Sequence, residues 1–576
     1  MKYNLISERN EDLTPVEQIL KNRGVAVSEI PSLLRTNDTM LLPFGLLDNI
    51  KDGIQLLFSH LRNGDKILIQ VDSDVDGYTS AAFLYNYLCK VIPGSESCLS
   101  FRIHDGKEHG IILESILGSE FKLVILPDAS SNQYEEHKTL KDAGIDVLVL
   151  DHHEADHYSE SAIVINNQLS DKYGNKNLSG VGVVYKFCKA IDSLLNEDIA
   201  ETMLDLVALG LVADMMDMRS LETRHLVKKG IINIRNPFFK SLVEKQSYSL
   251  GASITPIGLA FYIAPLINAT IRVGTEDEKR IMFKAFLENQ SYMLIPSTKR
   301  GCKGENEVLV DQAVRNCVNI KNRQKRKRDE GVNQIEAMIE KNQLNSNKII
   351  LVNTSKVLDK NLSGLVANQL MAKYQKPVLL LRDSEDGTLQ GSGRGYDKSD
   401  FNDFKGFLHE SGFFNYAEGH PNAFGAGINK EDVNTFIEYA NDKLSDYNFN
   451  SNYKVDFIFN AKELRPQDII DIANMKPLWG KGIEESYVVI ENIPVTNRNL
   501  YLLSRDKHPT LKITLDTTSL IKFGSTEEEY NSLYSEDGVV KINVVGKCSI
   551  NEWQGNLSPQ ILIEEYNIVT QCDYYF

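Results

Sequence analysis

Asp72, Asp74 and Asp76 stand at alternate positions in IQVDSDVDGYTSAA, just past a short apolar run. In an extended tip, residues two apart face the same side, so three carboxylates can converge there. Converging carboxylates raise one another's pKa unless a cation sits among them. Hard oxygen ligands suit Mg2+ or Mn2+. Gly77 would allow a sharp turn, and Thr79 or Ser80 would cap the helix that follows. Taken alone, the segment equally suits a solvated acidic turn. An EF-hand loop does not fit, because no Glu follows at the twelfth position. Asp128 and Asp151-His152-His153 end two further apolar runs, LVILPD and VLVLDHH. An imidazole among carboxylates favours Mn2+. Asp214, in LVADMMD, is an acid within an apolar helical pattern. It joins the cluster, caps a helix or pairs with an Arg, since an isolated buried carboxylate is costly. Two divalent ions about 3.5–4 Å apart, bridged by a carboxylate, clamp an in-line displacement at phosphorus. The chemistry implied is phosphoester or phosphoanhydride hydrolysis.

The elements that must position these groups follow from the pattern around them. Continuous apolar runs alternating with helical stretches such as TSAAFLYNYLCKV predict buried parallel strands in an α/β sheet, whose ligands bind outside the carboxyl ends of the strands. Residues 1–60 read as a helical extension and 61–304 as the catalytic α/β domain, with a helical second half. A connecting helix over 305–345 carries seven basic residues and no acid between 315 and 328. That run either lines a channel or is a solvated face. A second α/β domain, 346–450, holds the Gly-rich segments GSGRG (391–395) and EGHPNAFGAG (418–427). From 451 to 576 the pattern changes to short alternating runs, predicting a small all-β barrel or sandwich.

Composition sets the background. The 576 residues carry 63 Lys+Arg against 79 Asp+Glu, a net charge of −16. This argues against a protein that coats nucleic acid with its whole surface but leaves room for a local basic channel. Seven dispersed cysteines without a CxxC pair suggest reduced thiols rather than a disulfide framework or zinc site. With no signal-peptide core and only short apolar runs, no membrane association and a cytoplasmic setting are expected.

DSDVDG with TSAA, the strand-end Asp128, the DHH of 151–153, SGVGVVYKF (179–187) and DLVALGLVADM (205–215) resemble the DHH phosphoesterase superfamily. GSGRG and GHPNAFGAG resemble its DHHA1-type second domain. PLINATIRV (265–273), NIKNRQ (319–324), LWGKGIEESYV (479–488) and NEWQGNLSPQILIEEY (551–566) resemble the RecJ branch, single-stranded-DNA exonucleases degrading from the 5′ end and closing with an OB-fold barrel. The resemblance implies two-metal hydrolysis of single-stranded DNA to mononucleotides, in repair, recombination or replication. It implies metal ligands Asp72, Asp74, Asp76, Asp128, His152 and Asp214, with Asp128 bridging and His153 touching the scissile phosphate or steadying the site. It also implies that Arg102, Ser392 and Arg394 hold a 5′-phosphate beside His420, and that Asn268 and Arg272 contact the following backbone. Expected partners are a single-stranded-DNA-binding protein or helicase, with the enzyme itself a monomer in a bacterial or phage-infected cell. The chain departs from the family at Glu418, at PDASS, at LWGKGIEE and at IRV; none of these is an implied ligand. Rival readings are a DHH phosphodiesterase of short oligonucleotides or cyclic dinucleotides, and a non-catalytic DNA-binding relative.

Overall fold

The computed structural model describes residues 1–572 apart from 105–107, 252, 303, 450, 505–507, 537 and 554–555. The chain divides into two compact units. One comprises Arg23–Asn322 with Met475–Glu485; the other comprises Met1–Asn22, Arg323–Asn474 and Ser486–Phe576.

In the first unit, β1 (Lys66–Val71), β2 (Leu99–Ile103), β3 (Phe121–Pro127), β4 (Asp146–Asp151) and β5 (Ile163–Asn166) form an all-parallel sheet in the order β2-β1-β3-β4-β5. Nearly every residue of β1, β3 and β4 is buried, as expected for strands covered on both faces. Each such Leu, Ile or Val contributes about 1.5–3 kcal/mol by leaving water. The three acidic strand ends therefore share one edge of the sheet.

Helices α1 (Val75–Val91), α2 (Gly180–Leu195) and α3 (Leu204–Ala213) pack together behind that edge. Residues Leu204–Val212 are buried throughout, and a helix apolar on every side belongs in an interior. It stops at Asp214: Met215 takes a left-handed φ of 59°, and the Met216 amide donates back to the Leu211 carbonyl at 3.1 Å. Asp214 is thus a C-terminal cap and not an intrahelical acid. Helix α4 (Ala264–Val273) follows a π-helical turn, Leu259–Ile263. The run Pro256–Val273 corrects the expectation that every apolar stretch is too short for a bilayer: it has the length and hydropathy of a span. Yet 56% of it is buried inside the unit.

Helix α5 (Leu309–Lys341) begins in this unit and ends in the next. Its basic run is partly spent locally: Arg315 pairs with Glu307, Lys327 with Asp359 and Arg328 with Asp329. In the second unit, β6 (Ile350–Asn353), helix α6 (Ser363–Tyr374), β7 (Val378–Asp383), β8 (Thr388–Arg394), β9 (Phe414–His420) and β10 (Ala423–Asn429) build a mixed sheet ordered β9-β10-β8-β7-β6. The Gly-rich segments are strands, not loops. Their glycines admit close neighbours: a Cβ on Gly393 would sit 2.4 Å from the Phe424 ring.

The C-terminal region forms a seven-stranded sheet dominated by the paired strands Val539–Trp553 and Asn556–Cys572. Residues 1–60 are not purely helical, because Lys2–Leu5 pairs in parallel with Asn452–Val455.

Candidate metal centre

The three aspartates after β1 do not remain extended together. Asp72 follows the strand. Asp74 is the helix cap, its carboxylate accepting from the Gly77 amide at 2.9 Å, and Asp76 lies in the first turn of α1. Thr79 and Ser80, expected as caps, are buried inside the helix. Gly77 serves close approach and not a turn: a Cβ there would lie 2.6 Å from the Cβ of Asp72. The expected single convergence consequently divides in two. Asp72 and Asp74 gather with Asp128, while Asp76 gathers with His152 and Asp214; a third group joins Asp128 to Asp151, His152 and His153, the ligand atoms of each group lying within 4.8 Å of one another. Asp128 adjoins the first two groups. Its Oδ1 is 3.2 Å from His152 Nε2, which is itself 3.3 Å from Asp214 Oδ2 and 4.0 Å from Asp76 Oδ2.

The surrounding backbone holds these carboxylates in place. Asp76 accepts from the Ser179 hydroxyl (2.9 Å), the Gly180 amide (2.6 Å) and the Val181 amide (3.3 Å) at the start of α2, where a helix terminus favours negative charge. Gly180 is required there, since a Cβ would fall 2.4 Å from the Cβ of Asp128. Gly210 of α3 is equally confined, its Cβ position lying 2.2 Å from Asp76 Oδ1. Asp128 itself has a left-handed φ of 72°.

Asp151, adjacent in sequence, plays a different part. Its oxygens accept from the amides of Ser131 (3.0 Å), His152 (2.7 Å) and His153 (3.2 Å), and Oδ1 lies 2.8 Å from His153 Nδ1. Burial alone would raise its pKa. The His153 hydrogen bond and the charges of both histidines overcome that and hold it well below the carboxylate range. The same bond lifts His153 to about 9 against the cost of burial.

The remaining acids are crowded. Burial, then the charges of Asp76 and Asp74, push Asp128 well above its ordinary value and Asp214 up to about 8. Burial and then Asp76 push Asp74 up to about 6. Burial pushes His152 down. Asp128 Oδ1 and His152 Nε2 are buried without a hydrogen-bond partner. Bare lone pairs facing one another are costly, and an oxygen-rich set with one imidazole fits Mn2+ or Mg2+.

Asp72, Asp128, Asp151 and His153 line a cleft of about 390 Å3, together with His109, which the sequence reading passed over. His109 Nδ1 is 2.7 Å from Asp72 Oδ2. Its only local signal was a His-Gly pair in a loop after β2. Arg102 lies on β2, its guanidinium donating to the Ser115 carbonyl and resting 6.0 Å over the Phe121 ring. Asn268 and Arg272 sit one turn apart on α4. None of these three lines the cleft.

In the second unit, Ser392 and Arg394 share a face of β8. A Cβ on Gly364, in the first turn of α6, would come 2.6 Å from Arg394 Nη2 and 3.8 Å from Ser392 Oγ. His420 is exposed at the end of β9.

Residues 66–211 match the DHH family N-terminal domain, and residues 455–565 match the RecJ OB domain. The protein named as an SPbeta prophage-derived single-strand DNA-specific exonuclease, YorK, of Bacillus subtilis is 41% identical over 576 residues, covering 99% of this chain and 98% of that one. The single-stranded-DNA-specific exonuclease RecJ of the same organism is 26% identical, covering 96% of this chain and 68% of its own. A crystal structure of RecJ in complex with Mn2+ from Thermus thermophilus shares the fold, with a TM-score of 0.69 at 19% identity over 96% of this chain and 76% of that one.

Proposed function

The chain belongs to the RecJ family of single-strand-DNA-specific exonucleases, and from that membership we propose that it removes mononucleotides from the 5′ end of single-stranded DNA by metal-dependent phosphodiester hydrolysis. The observation that carries this reading is the pair of ligand groups adjoining one carboxylate, with Asp128 Oδ1 and His152 Nε2 left bare between them. Asp72, Asp74 and Asp128 would hold one Mn2+ or Mg2+ and Asp76, His152 and Asp214 the other, with Asp128 common to both. Such ions, when bound, lower the pKa of water and offset charge on the leaving oxygen.

The chain's own groups select and orient the phosphodiester. His153, held cationic by Asp151, faces the cleft and donates to a non-bridging phosphate oxygen. The amides at the start of α2 hold the Asp76 carboxylate in place. Ser392 and Arg394, set against the first turn of α6, form a phosphate cradle of hydroxyl, guanidinium and helix terminus. In this reading they bind the 5′-terminal phosphate, with Arg102 and His420 as further phosphate contacts and Asn268 and Arg272 on the backbone of the following nucleotides. The C-terminal OB domain tracks the strand without reading its sequence. The cellular setting is DNA repair, recombination or replication in bacterial or phage-infected cytoplasm, beside a single-stranded-DNA-binding protein or helicase.

The test is a long single strand carrying a 5′ or a 3′ label, incubated with Mn2+. Early release of the 5′ label as a mononucleotide is expected. Early release of the 3′ label would overturn the polarity, and hydrolysis confined to dinucleotides would overturn the substrate class.

A further inference from the structure

Met475–Glu485 is the one stretch of the C-terminal region that folds with the first unit, leaving it and returning within eleven residues. It ends in the segment LWGKGIEE. It is built into its surroundings: Trp479 and Ile483 are buried, and Gly480 and Ile483 exchange backbone hydrogen bonds at 3.0 and 3.1 Å. What the loop grips is the turn immediately after Asp214. The Met218 amide donates to the Lys481 carbonyl at 2.8 Å. Gly480 lies flat on Met218, where a Cβ would come 2.6 Å from its Cγ. Gly482, at a φ of +80°, leaves 2.1 Å between its Cβ position and Asp217 Oδ1. Buried Arg224 ties the two strands of the contact, donating to the carbonyls of Met218 (3.3 Å) and Leu478 (3.4 Å). Arg23 donates to the Glu484 carbonyl at 3.1 Å, and the Gly482 amide donates to Glu484 Oε1 at 3.2 Å.

Among the described residues, the nearest charged group to the Asp214 carboxylate that could aim it is the His152 ring, Nε2 lying 3.3 Å from Oδ2. Its direction follows from the end of α3 and from the path of Met215–Arg219 beyond it. One side of that path is the helix cap; the other is the loop.

We propose that Met475–Glu485 is a positioning strap that aims the Asp214 carboxylate at the metal centre, with Gly480 and Gly482 as the residues that let it close on Met218 and Asp217. The strap rests on the assignment of Asp214 as a metal ligand. It acts through Asp214 and touches no reacting atom. In sequence the strap lies between helix Pro466–Ala473 and the strand Val488–Val495.

The test is Mn2+ binding by calorimetry on full-length wild type, Gly482→Ala, Lys481→Ala and Asp214→Asn, with melting curves for each. The strap predicts that Gly482→Ala weakens Mn2+ about tenfold, the range for displaced supporting groups. Raising Mn2+ should restore its hydrolysis rate, which a merely unfolded fraction would not allow. Lys481→Ala keeps the accepting carbonyl and should bind as wild type does. If Gly482→Ala melts without cooperativity, Glu484→Ala, on a side chain 64% exposed, replaces it and should weaken Mn2+ severalfold. Unchanged affinity in the folded strap variant, with Asp214→Asn weakened, overturns the strap alone. Unchanged affinity in Asp214→Asn overturns the ligand assignment, and the strap with it.

Discussion

Both oxygens of Asp151 are spent on three backbone amides and the His153 ring, whereas Asp128 leaves Oδ1 bare beside His152. Two aspartates that each end a buried strand therefore have opposite tasks, and their substitutions should separate. Asp128→Ala should abolish hydrolysis, by at least about a thousandfold, while a chelator-containing filter assay finds single-strand binding largely intact. Asp151→Asn should keep Mn2+ binding within a few-fold but cost about 10–100-fold in rate, because His153 loses the partner that orients and charges it. Protons compete with metal at the crowded acids. Asp214 is pushed up to about 8 and Asp74 to about 6, so both retain protons that a cation must displace. Mn2+ affinity measured by calorimetry should rise from pH 6 to 8, by up to about tenfold per unit for each proton displaced. A flat profile would contradict the crowding. At this scale the sequence was legible in residue type and strand-end placement. How Asp72, Asp74 and Asp76 divide was not, because Asp74 turns out to be a helix cap and Asp76 begins the helix.

The parallel strands were readable from continuous apolar runs, and α3 from an apolar stretch without polar interruption. Less readable were the glycines. Gly180 looks like any helix-start glycine until the Asp128 backbone is found against it, with Cα 2.7 Å from the Cβ position. That neighbour cannot yield by rotating, so Gly180→Ala should displace β3's end from α2. The expected loss is about a hundredfold in rate, the cost of roughly an ångström of misplacement. Gly174→Ala, with nothing within 4 Å of its Cβ position, is the control and should be near neutral. In GSGRG and GHPNAFGAG, glycine thins a sheet so that the Phe424 and Tyr416 rings can approach Gly393 and Gly427. Glycine count signals closeness or turning, and only the neighbour says which.

For the whole molecule, the cluster links acid chemistry to stability. With metal chelated, Asp214 and Asp74 bind protons in the folded state that the unfolded chain, with carboxylates near 4, has already lost. Folded stability should thus fall as pH rises from about 5 to 8, the reverse of the usual carboxylate trend. Saturating Mn2+ should raise the melting midpoint and remove that slope, as any ligand of the native state does. Scanning calorimetry at several pH values, with and without chelator, checks both. The net charge of −16 takes its meaning from the same cluster, since part of it is charge that bound cations neutralise. By itself the sequence determined the reaction class, the α/β and all-β regions and most of the acids and imidazoles that gather in the candidate metal centre. These depend on local apolar periodicity and on residue types at strand ends, both written contiguously. Only the tertiary structure decided which carboxylates share a group, that Asp151 accepts from three backbone amides and pairs with His153, that His109 joins the cleft, and that residues 475–485 close on the turn after Asp214. Each is a contact between segments far apart in the chain, set by packing geometry that no local pattern encodes.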